Sequence, residues 1–388
     1  MSDIWRIPGC PEPPDWKVDV AALRATFPWL EPLAECPQDP IFHAEGDVLT
    51  HLGMVLTQLA SLPAFRELPE QDRHVVFAGT LLHDISKPEC TRIEENGRVR
   101  SPGHAVKGVY KARRILTDDE AFAPLGTPFE IREQVLALVR WHGLPANYLD
   151  KPDPMRAVIL TSMNTRMDLL TILAEADHRG RVVKKENDDT MTRVALFPDF
   201  CAECEAWDGP RNFANDHSRF HYFRTPGEHP TLHLFDDTKC EVTVSSGLPG
   251  SGKDTWVSEH AGDREVISLD DIRRELDVEP GENQSAVVAA AYDRAKVLLR
   301  RGEPFVWNAT NVSRILRGKV IDLSAAYKAR LRVVYLEPPI PLIRERNGDR
   351  VKRVPERVWE RLFDKLDVPT PAESHQVEYL VGRNAKDV

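Results

Sequence analysis

One stretch constrains this chain more than any other: Gly247-Leu-Pro-Gly-Ser-Gly-Lys253-Asp254-Thr255. It fits G-x-x-x-x-G-K-[ST] in every place but the last, where Asp254 stands. A β-prone run, Glu241–Ser246, precedes it, and a helix-compatible run, Asp254–His260, follows. A chain that passes from strand to helix through three glycines builds a nest of inward N–H groups, and the helix N-terminus adds partial positive charge. The pattern therefore predicts a nucleotide phosphate cradle made by Gly247, Gly250, Ser251, Gly252, Lys253, Asp254 and Thr255, with Lys253 reaching the β- and γ-phosphates of ATP or another NTP. Asp254 replaces the usual hydroxyl. A carboxylate is a harder Mg²⁺ ligand that also repels phosphate oxygens, so Asp254 is expected to hold Mg²⁺ directly or through water.

From about Glu241 onward the rhythm alternates β and α, with strands expected at 241–246, 265–268, 304–308, 331–336 and 377–381 and helices at Ser285–Arg301 and Ser313–Ala329. This predicts an α/β domain with a parallel sheet and the phosphate loop after its first strand. The run Val266-Ile-Ser-Leu-Asp270-Asp271-Ile-Arg273 puts carboxylates at a strand's C-terminal end, where such sheets build sites. Asp270 there can accept a proton from an attacking hydroxyl, and Arg273 suits a substrate phosphate. N-capping of the helix Ile272–Leu276 by Asp270 fits the same residues. The basic run from Arg346 through Arg350 to Pro355 reads either as a solvated surface or as a lid whose arginines spread γ-phosphate charge.

The front half reads differently. Apolar residues recur at helical spacing in Val48–Leu59, Val75–Leu82, Ala105–Leu116, Ile131–Val139 and Met167–Ala176, which predicts an all-α domain of five or more helices. His51 lies in the first, His83-Asp84 ends the second, His104 opens the third, His142 follows the fourth and Asp177 closes the fifth. Imidazole nitrogens and carboxylate oxygens converging from helix ends suit Mn, Fe, Co, Ni or Zn. Cys201 and Cys204 form a lone C-x-x-C without a second pair at zinc spacing, so surface thiols are expected there. The net charge of −10 requires any nucleic-acid contact to come from a local basic patch. No apolar run approaches a membrane span and the start does not read as a signal peptide, which points to a cytoplasmic protein. The stretch Asn212–Phe223 mixes bases and aromatics; it can clamp a single strand, but packing as a hinge is favoured.

With these residues in place, H…HD…D resembles the signature of the HD phosphohydrolase superfamily, and Phe42-His-Ala-Glu-Gly-Asp-Val-Leu-Thr-His51 is similar to the HD domain attached to bacterial tRNA nucleotidyltransferases. The resemblance implies that His51, His83, Asp84 and Asp177 are metal ligands and that His104 and His142 serve a second metal. It also implies that Lys87 faces a substrate phosphate. Arg181, one helical turn past Asp177, can do the same, while His43 stays open as ligand, proton donor or structural residue. The set G-x-P-G-S-G-K-x-T-W, D-D-x-R, T-N and R-N-x-x-R…V-P resembles the 5′-hydroxyl polynucleotide kinases typified by that of bacteriophage T4. That likeness makes Lys253 the loop lysine, Asp270 the general base, Arg273 the holder of the acceptor's 3′-phosphate, Arg350 a lid arginine and Arg346 a nucleotide contact. Asp254 and Ala309 depart from the pattern.

The order of the two resembles the bacterial HD-Pnk end-healing family. Domains are accordingly expected at 1–40 (an N-terminal extension), 41–205 (HD), 206–238 (a connector) and 239–388 (the kinase). The resemblance implies RNA or DNA ends bearing 5′-OH and 2′,3′-cyclic or 3′-phosphate as substrates, ATP with Mg²⁺ at the kinase, and Mn²⁺, Ni²⁺, Co²⁺ or Zn²⁺ at the HD site. With no K-x-D-G present, a separate ligase is expected. The rivals are a small-molecule nucleoside kinase fused to a nucleotidohydrolase and an NTP-gated RNA-binding regulator.

Overall fold

Each apolar repeat of the front half folds as the helix it predicts. The computed structural model describes residues 4–122, 126–185, 188–279, 282–350 and 353–382. Helices α1 (Val48–Ser61), α2 (Glu70–Leu82), α3 (His104–Asp118), α4 (Phe129–Trp141) and α5 (Met167–Arg179) carry the expected stripes inward. Asp47 starts α1 by accepting the Thr50 N–H at 2.8 Å, a side-chain cap for an otherwise orphaned donor. Val55, Leu56, Leu59, Val75, Val76, Phe77, Val139 and Leu173 are fully buried. Helix α5 packs on α1 and α2, and α4 packs on α2 and α3. This arrangement brings the helix ends that carry histidines and acids toward one place.

The chain divides into two compact units, Met1–Asn212 and Phe213–Val388. The stretch 1–40 lies in the first unit, where Phe27, Leu30 and Leu33 are buried. That unit also holds a small element the periodicity did not show. Arg92–Ile93 pairs antiparallel with Val99–Arg100 across a turn at Gly97, whose φ is +79°.

The second unit is the expected parallel sheet. Strands β1 (Cys240–Ser246), β2 (Glu265–Ser268), β3 (Phe305–Asn308), β4 (Ala329–Leu336) and β5 (Gln376–Leu380) lie in the order β2-β3-β1-β4-β5, all parallel. Central β1 is therefore bonded on both edges, Val244 opposite Trp307 and Ser245 opposite Val334. Its core joins Val242, Val244, Phe305, Leu331 and Val333 with helix residues such as Val287 and Ala291.

The basic and aromatic stretch after residue 212 packs into this second unit. It forms the helix Asp216–Arg224, buries Phe220 and Tyr222, and has Arg219 donating to the carbonyls of His375 (2.6 Å) and Pro371 (3.1 Å). Cys201 and Cys204 are buried, which corrects the expectation of surface thiols. Burial pushes the Cys204 thiol up to about 11 and the Cys201 thiol higher still. Among the described residues, no helix is long and apolar enough to cross a membrane.

Candidate functional site

In the helical unit the predicted residues meet. His83, His104 and His142 each stand at a helix end, and each ring's Nδ1 lies against a carbonyl three residues back: Thr80 O at 2.7 Å, Ser101 O at 2.8 Å and Val139 O at 2.9 Å. A carbonyl only accepts, so Nδ1 carries a proton, and in the neutral ring Nε2 is the lone pair. Those lone pairs face other acceptors. His104 Nε2 lies 3.2 Å from His142 Nε2, and His83 Nε2 lies 3.1 Å from Asp84 Oδ2. His83 Nε2 and Asp84 Oδ1 are buried and make no hydrogen bond. Acceptors held this close, with Lys87 alone donating to Asp84 Oδ2, fit a cation.

Three overlapping groups of ligand-type atoms result: His51, His83 and Asp177; Asp84, His104 and His142; and His43, Glu45 and His51. The adjacent pair His83-Asp84 contributes one member to each of the first two. In the first, His51 Nε2 is 3.0 Å from Asp177 Oδ1, which is 4.0 Å from His83 Nε2. Burial alone would raise the carboxyls of Asp84 and Asp177. Opposing that, His83 and Lys87 hold Asp84 well below its ordinary range, and Arg181 and His51 do the same for Asp177. Burial, with His83 and His104 alongside, lowers His142 to about 3, so its ring is neutral at pH 7 as a ligand must be.

Lys87 and Arg181 reach this pocket but are engaged by its acids. Lys87 Nζ lies 2.7 Å from both Asp84 Oδ2 and Gln38 Oε1. Arg181 Nη2 donates to Asp177 Oδ2 at 3.0 Å and to His178 Nε2 at 2.9 Å. His43 stands edge-on to His51, with ring centroids 4.8 Å apart and its Nδ1 2.8 Å from Glu45 Oε1. Burial, with Lys87, His51 and Arg181, lowers His43 to about 4.

Glu45 is the residue that sequence reasoning missed. Its carboxylate also lies 3.0 Å from His51 Nδ1 and accepts the Val182 N–H at 2.9 Å. It gives His51 the carboxylate that the other three rings replace with a backbone carbonyl. The spacing His43-x-Glu45 within the quoted motif was the available signal, but nothing in it shows that Glu45 turns toward His51. A further cluster, Glu12, Glu70 and His74, is of a different kind: His74 Nδ1 accepts the Ile7 N–H at 3.3 Å, which leaves Nε2 protonated and unable to ligate.

In the α/β unit the loop leaves β1 and enters α6 (Lys253–His260). Thr310 and Asn311 tie its base: Gly247 N–H donates to Thr310 O at 3.0 Å, Ser246 Oγ to Asn311 O at 2.9 Å, and Asn311 Nδ2 to Ser245 O at 2.9 Å. Gly250 has φ +93°, and a Cβ there would lie 2.4 Å from Ile343 O, so no other residue fits the turn. Lys253 Nζ curls into the loop, donating to Leu248 O at 2.8 Å, and burial lowers its pKa to about 8. Asp254 is exposed, with Asn308 Nδ2 2.9 Å from Oδ1 and Arg350 Nη2 3.4 Å from Oδ2. Thr255 is exposed on α6, and Arg346 Nη1 lies 3.7 Å from where a Gly252 Cβ would be.

Asp270 does not cap the helix beside it, which corrects one of the two readings above. That helix spans Leu269–Glu275, and Ser268 Oγ caps it by accepting the Asp271 N–H at 3.2 Å. Asp270 is left exposed and paired with Arg273, which also donates to Gln284 Oε1 at 2.7 Å. Val351 and Lys352 of the basic run lie outside the described residues.

Fold and geometry together define a helical domain with a cation-type histidine–aspartate pocket, followed by a P-loop domain on a parallel sheet. Comparison agrees: residues 48–178 match the model of the HD domain and residues 242–369 that of an AAA domain. The chain thus carries an HD-type helical domain followed by an AAA-type P-loop domain. It is 30% identical over 171 residues to a multifunctional CCA protein of Thioalkalivibrio sulfidiphilus, which covers 42% of this chain and 37% of the relative. It is 35% identical over 121 residues to one of Halorhodospira halophila, covering 31% and 25%. The chain thus spans from a quarter to little more than a third of the length of these curated relatives. A solved structure of a kinase candidate from Chloroflexus aurantiacus J-10-fl aligns over 37% of this chain and 86% of its own, at TM-score 0.32 and 12% identity.

Proposed function

We propose that this chain heals broken nucleic-acid ends, removing a 2′,3′-cyclic or 3′-terminal phosphate with its HD domain and adding a 5′-phosphate from an NTP with its P-loop domain. The observation that carries the reading is the pairing of two phosphate chemistries on one chain. One pocket is lined by opposed lone pairs that call for divalent ions; the other is a phosphate loop accompanied by the exposed Asp270 and its partner Arg273. Likeness to multifunctional CCA proteins supports a nucleic-acid end as substrate.

In the first site, His51, His83 and Asp177 would hold one divalent ion and Asp84, His104 and His142 a second, of the Mn²⁺, Ni²⁺, Co²⁺ or Zn²⁺ type. Bound metal supplies an acidified water at neutral pH. Lys87 and Arg181 hold the ligand carboxylates ionised and in place, and they present positive charge to the phosphate oxygens. His43, with Nδ1–H on Glu45, keeps a lone pair at Nε2 beside the reacting group.

In the second site, Lys253, now on Leu248 O, would reach the β- and γ-phosphates, and Asp254 would hold the Mg²⁺. Asp270 accepts the proton of the 5′-OH. Arg273 holds the acceptor's phosphate, while Arg350 and Arg346 spread charge over the nucleotide.

The test offers a 5′-OH, 3′-phosphate oligonucleotide and its 2′,3′-cyclic form with ATP and a metal series. Lys253→Ala is expected to abolish 5′-labelling and spare phosphate removal, and Asp84→Ala to do the reverse. Labelling of a free nucleoside as readily as the oligonucleotide would establish the small-molecule kinase instead. Failure to label any 5′-OH would remove the kinase reading.

A further inference from the structure

Asp254 and Asn308 reverse a common division of labour. In P-loop NTPases the helix after the glycine loop gives Mg²⁺ a Ser or Thr hydroxyl, while a carboxylate comes from a separate strand. In this chain the helix offers a carboxylate, Asp254, and the end of the strand beside β1 offers a neutral amide, Asn308. The two side chains meet, Asn308 Nδ2 lying 2.9 Å from Asp254 Oδ1. The amide is held in that sense, because Ser245 Oγ donates to Asn308 Oδ1 at 2.9 Å and so turns the NH₂ toward Asp254. Asn308 and Ser245 are both buried, whereas Asp254 opens to the loop.

We infer that the carboxylate anchoring Mg²⁺ has moved from the strand to the loop helix, with Asp254 as the metal's anionic ligand and Asn308 as its positioning residue. This rests on the NTP reading of the loop and deepens it. The exchange leaves the charge of the site unchanged, one carboxylate and one neutral group, so it suits the same ion. A carboxylate in a helix's first turn already gains from the helix dipole, without an oriented amide behind it. The Ser245–Asn308–Asp254 chain is what a metal-bound carboxylate requires, since such ligands are themselves hydrogen-bonded into place. Arg350 stands 3.4 Å from Asp254 Oδ2, the oxygen that Asn308 leaves open, so the guanidinium and a divalent ion contend for one position.

The test titrates a fluorescent ATP analogue into the full chain, in EDTA and in Mg²⁺. It compares the wild type with Asp254→Ser and with the double variant Asp254→Ser/Asn308→Asp, which recreates the common arrangement. Mg²⁺ is expected to tighten wild-type binding about tenfold or more; Asp254→Ser should cut that gain to about twofold, and the double variant should regain most of it. Binding in EDTA reports that each variant is folded. Retention of the full Mg²⁺ gain by Asp254→Ser would overturn the inference. So would a double variant that binds normally in EDTA yet stays as insensitive to Mg²⁺ as the single. Failure of the NTP reading looks different: wild type and Lys253→Ala would then bind the analogue equally under every condition.

Discussion

Replacing Glu45 tests whether the histidine pocket is tuned from behind its ligands. Burial alone would raise the Glu45 carboxyl, but His51 beside it, the Val182 N–H and His43 bring it down to about 2. It is therefore ionised at pH 7, and with Oε1 3.0 Å from His51 Nδ1 it stands where a charge-assisted bond forms once that ring turns its N–H toward it. Such a bond contributes about 1.5–3 kcal/mol against about 0.5–1.5 for a neutral one. Glu45→Gln keeps the volume and an acceptor but loses the charge, a difference of about 1–1.5 kcal/mol, or roughly tenfold in affinity for an ion held by His51. Glu45→Ala removes the partner altogether, and losses of about 10- to 100-fold are expected for an outer partner of a metal-bound histidine. Competition with a chromogenic chelator for Ni²⁺ or Zn²⁺ on the full chain measures both, with melting in EDTA to confirm folding. The graded order, wild type above Gln above Ala, is the expected result. If both variants hold the ion within about twofold of wild type while His51→Ala loses it, Glu45 does not act through His51 and the reasoning fails.

Three further outcomes follow from the α/β unit. Burial lowers Lys253 to about 8, so above that pH its amine is neutral before ATP arrives, and ATP affinity should fall by up to about tenfold per pH unit. Calorimetry in two buffers at pH 8 should find uptake of about half a proton on binding; no uptake, or release, would contradict this. Arg317 is fully buried, bonded to both Glu373 oxygens at 3.0 Å and to the carbonyls of Asn311, Val312 and Asp367. Glu373→Ala should cost about 3–5 kcal/mol in denaturant unfolding of that unit, and a loss below about 1 kcal/mol would show that solvent reaches the site. Gly250→Ala sets a Cβ 2.4 Å from Ile343 O at φ +93°, so nucleotide binding should vanish while phosphate removal from a 3′-end continues.

Local periodicity carried most of the architecture. The stripes of α1 to α5 and the β–α alternation after Cys240 are short-range signals, and all five strands fall within two residues of their expected bounds. The histidines and acids were visible because the helix ends that hold them were. What escaped depends on contacts far apart in sequence. Glu45 sits in a segment without regular structure, and its Val182 partner lies 137 residues on. Gln38 meets Lys87 across 49 residues, and Asn308 meets Asp254 across 54. Asp270 as a helix cap was a local reading that Ser268, two residues earlier, displaced. Cys201 and Cys204 read as surface thiols, yet both are buried in a core that composition does not reveal.

The placement of β1 has a consequence for how the nucleotide is gripped. A strand paired along both edges is among the last parts of a unit to open in native fluctuations, whereas edge strands such as β2 and β5 fray first. The loop that holds phosphate hangs directly from that least yielding strand and is tied again at Thr310 and Asn311. Amide exchange along Val242–Ser246 should therefore be among the slowest in the unit, with or without ATP. In the proposed transfer the donor end would be anchored to a rigid base, and the adjustment that turnover requires would fall to the acceptor side, along the outer strands.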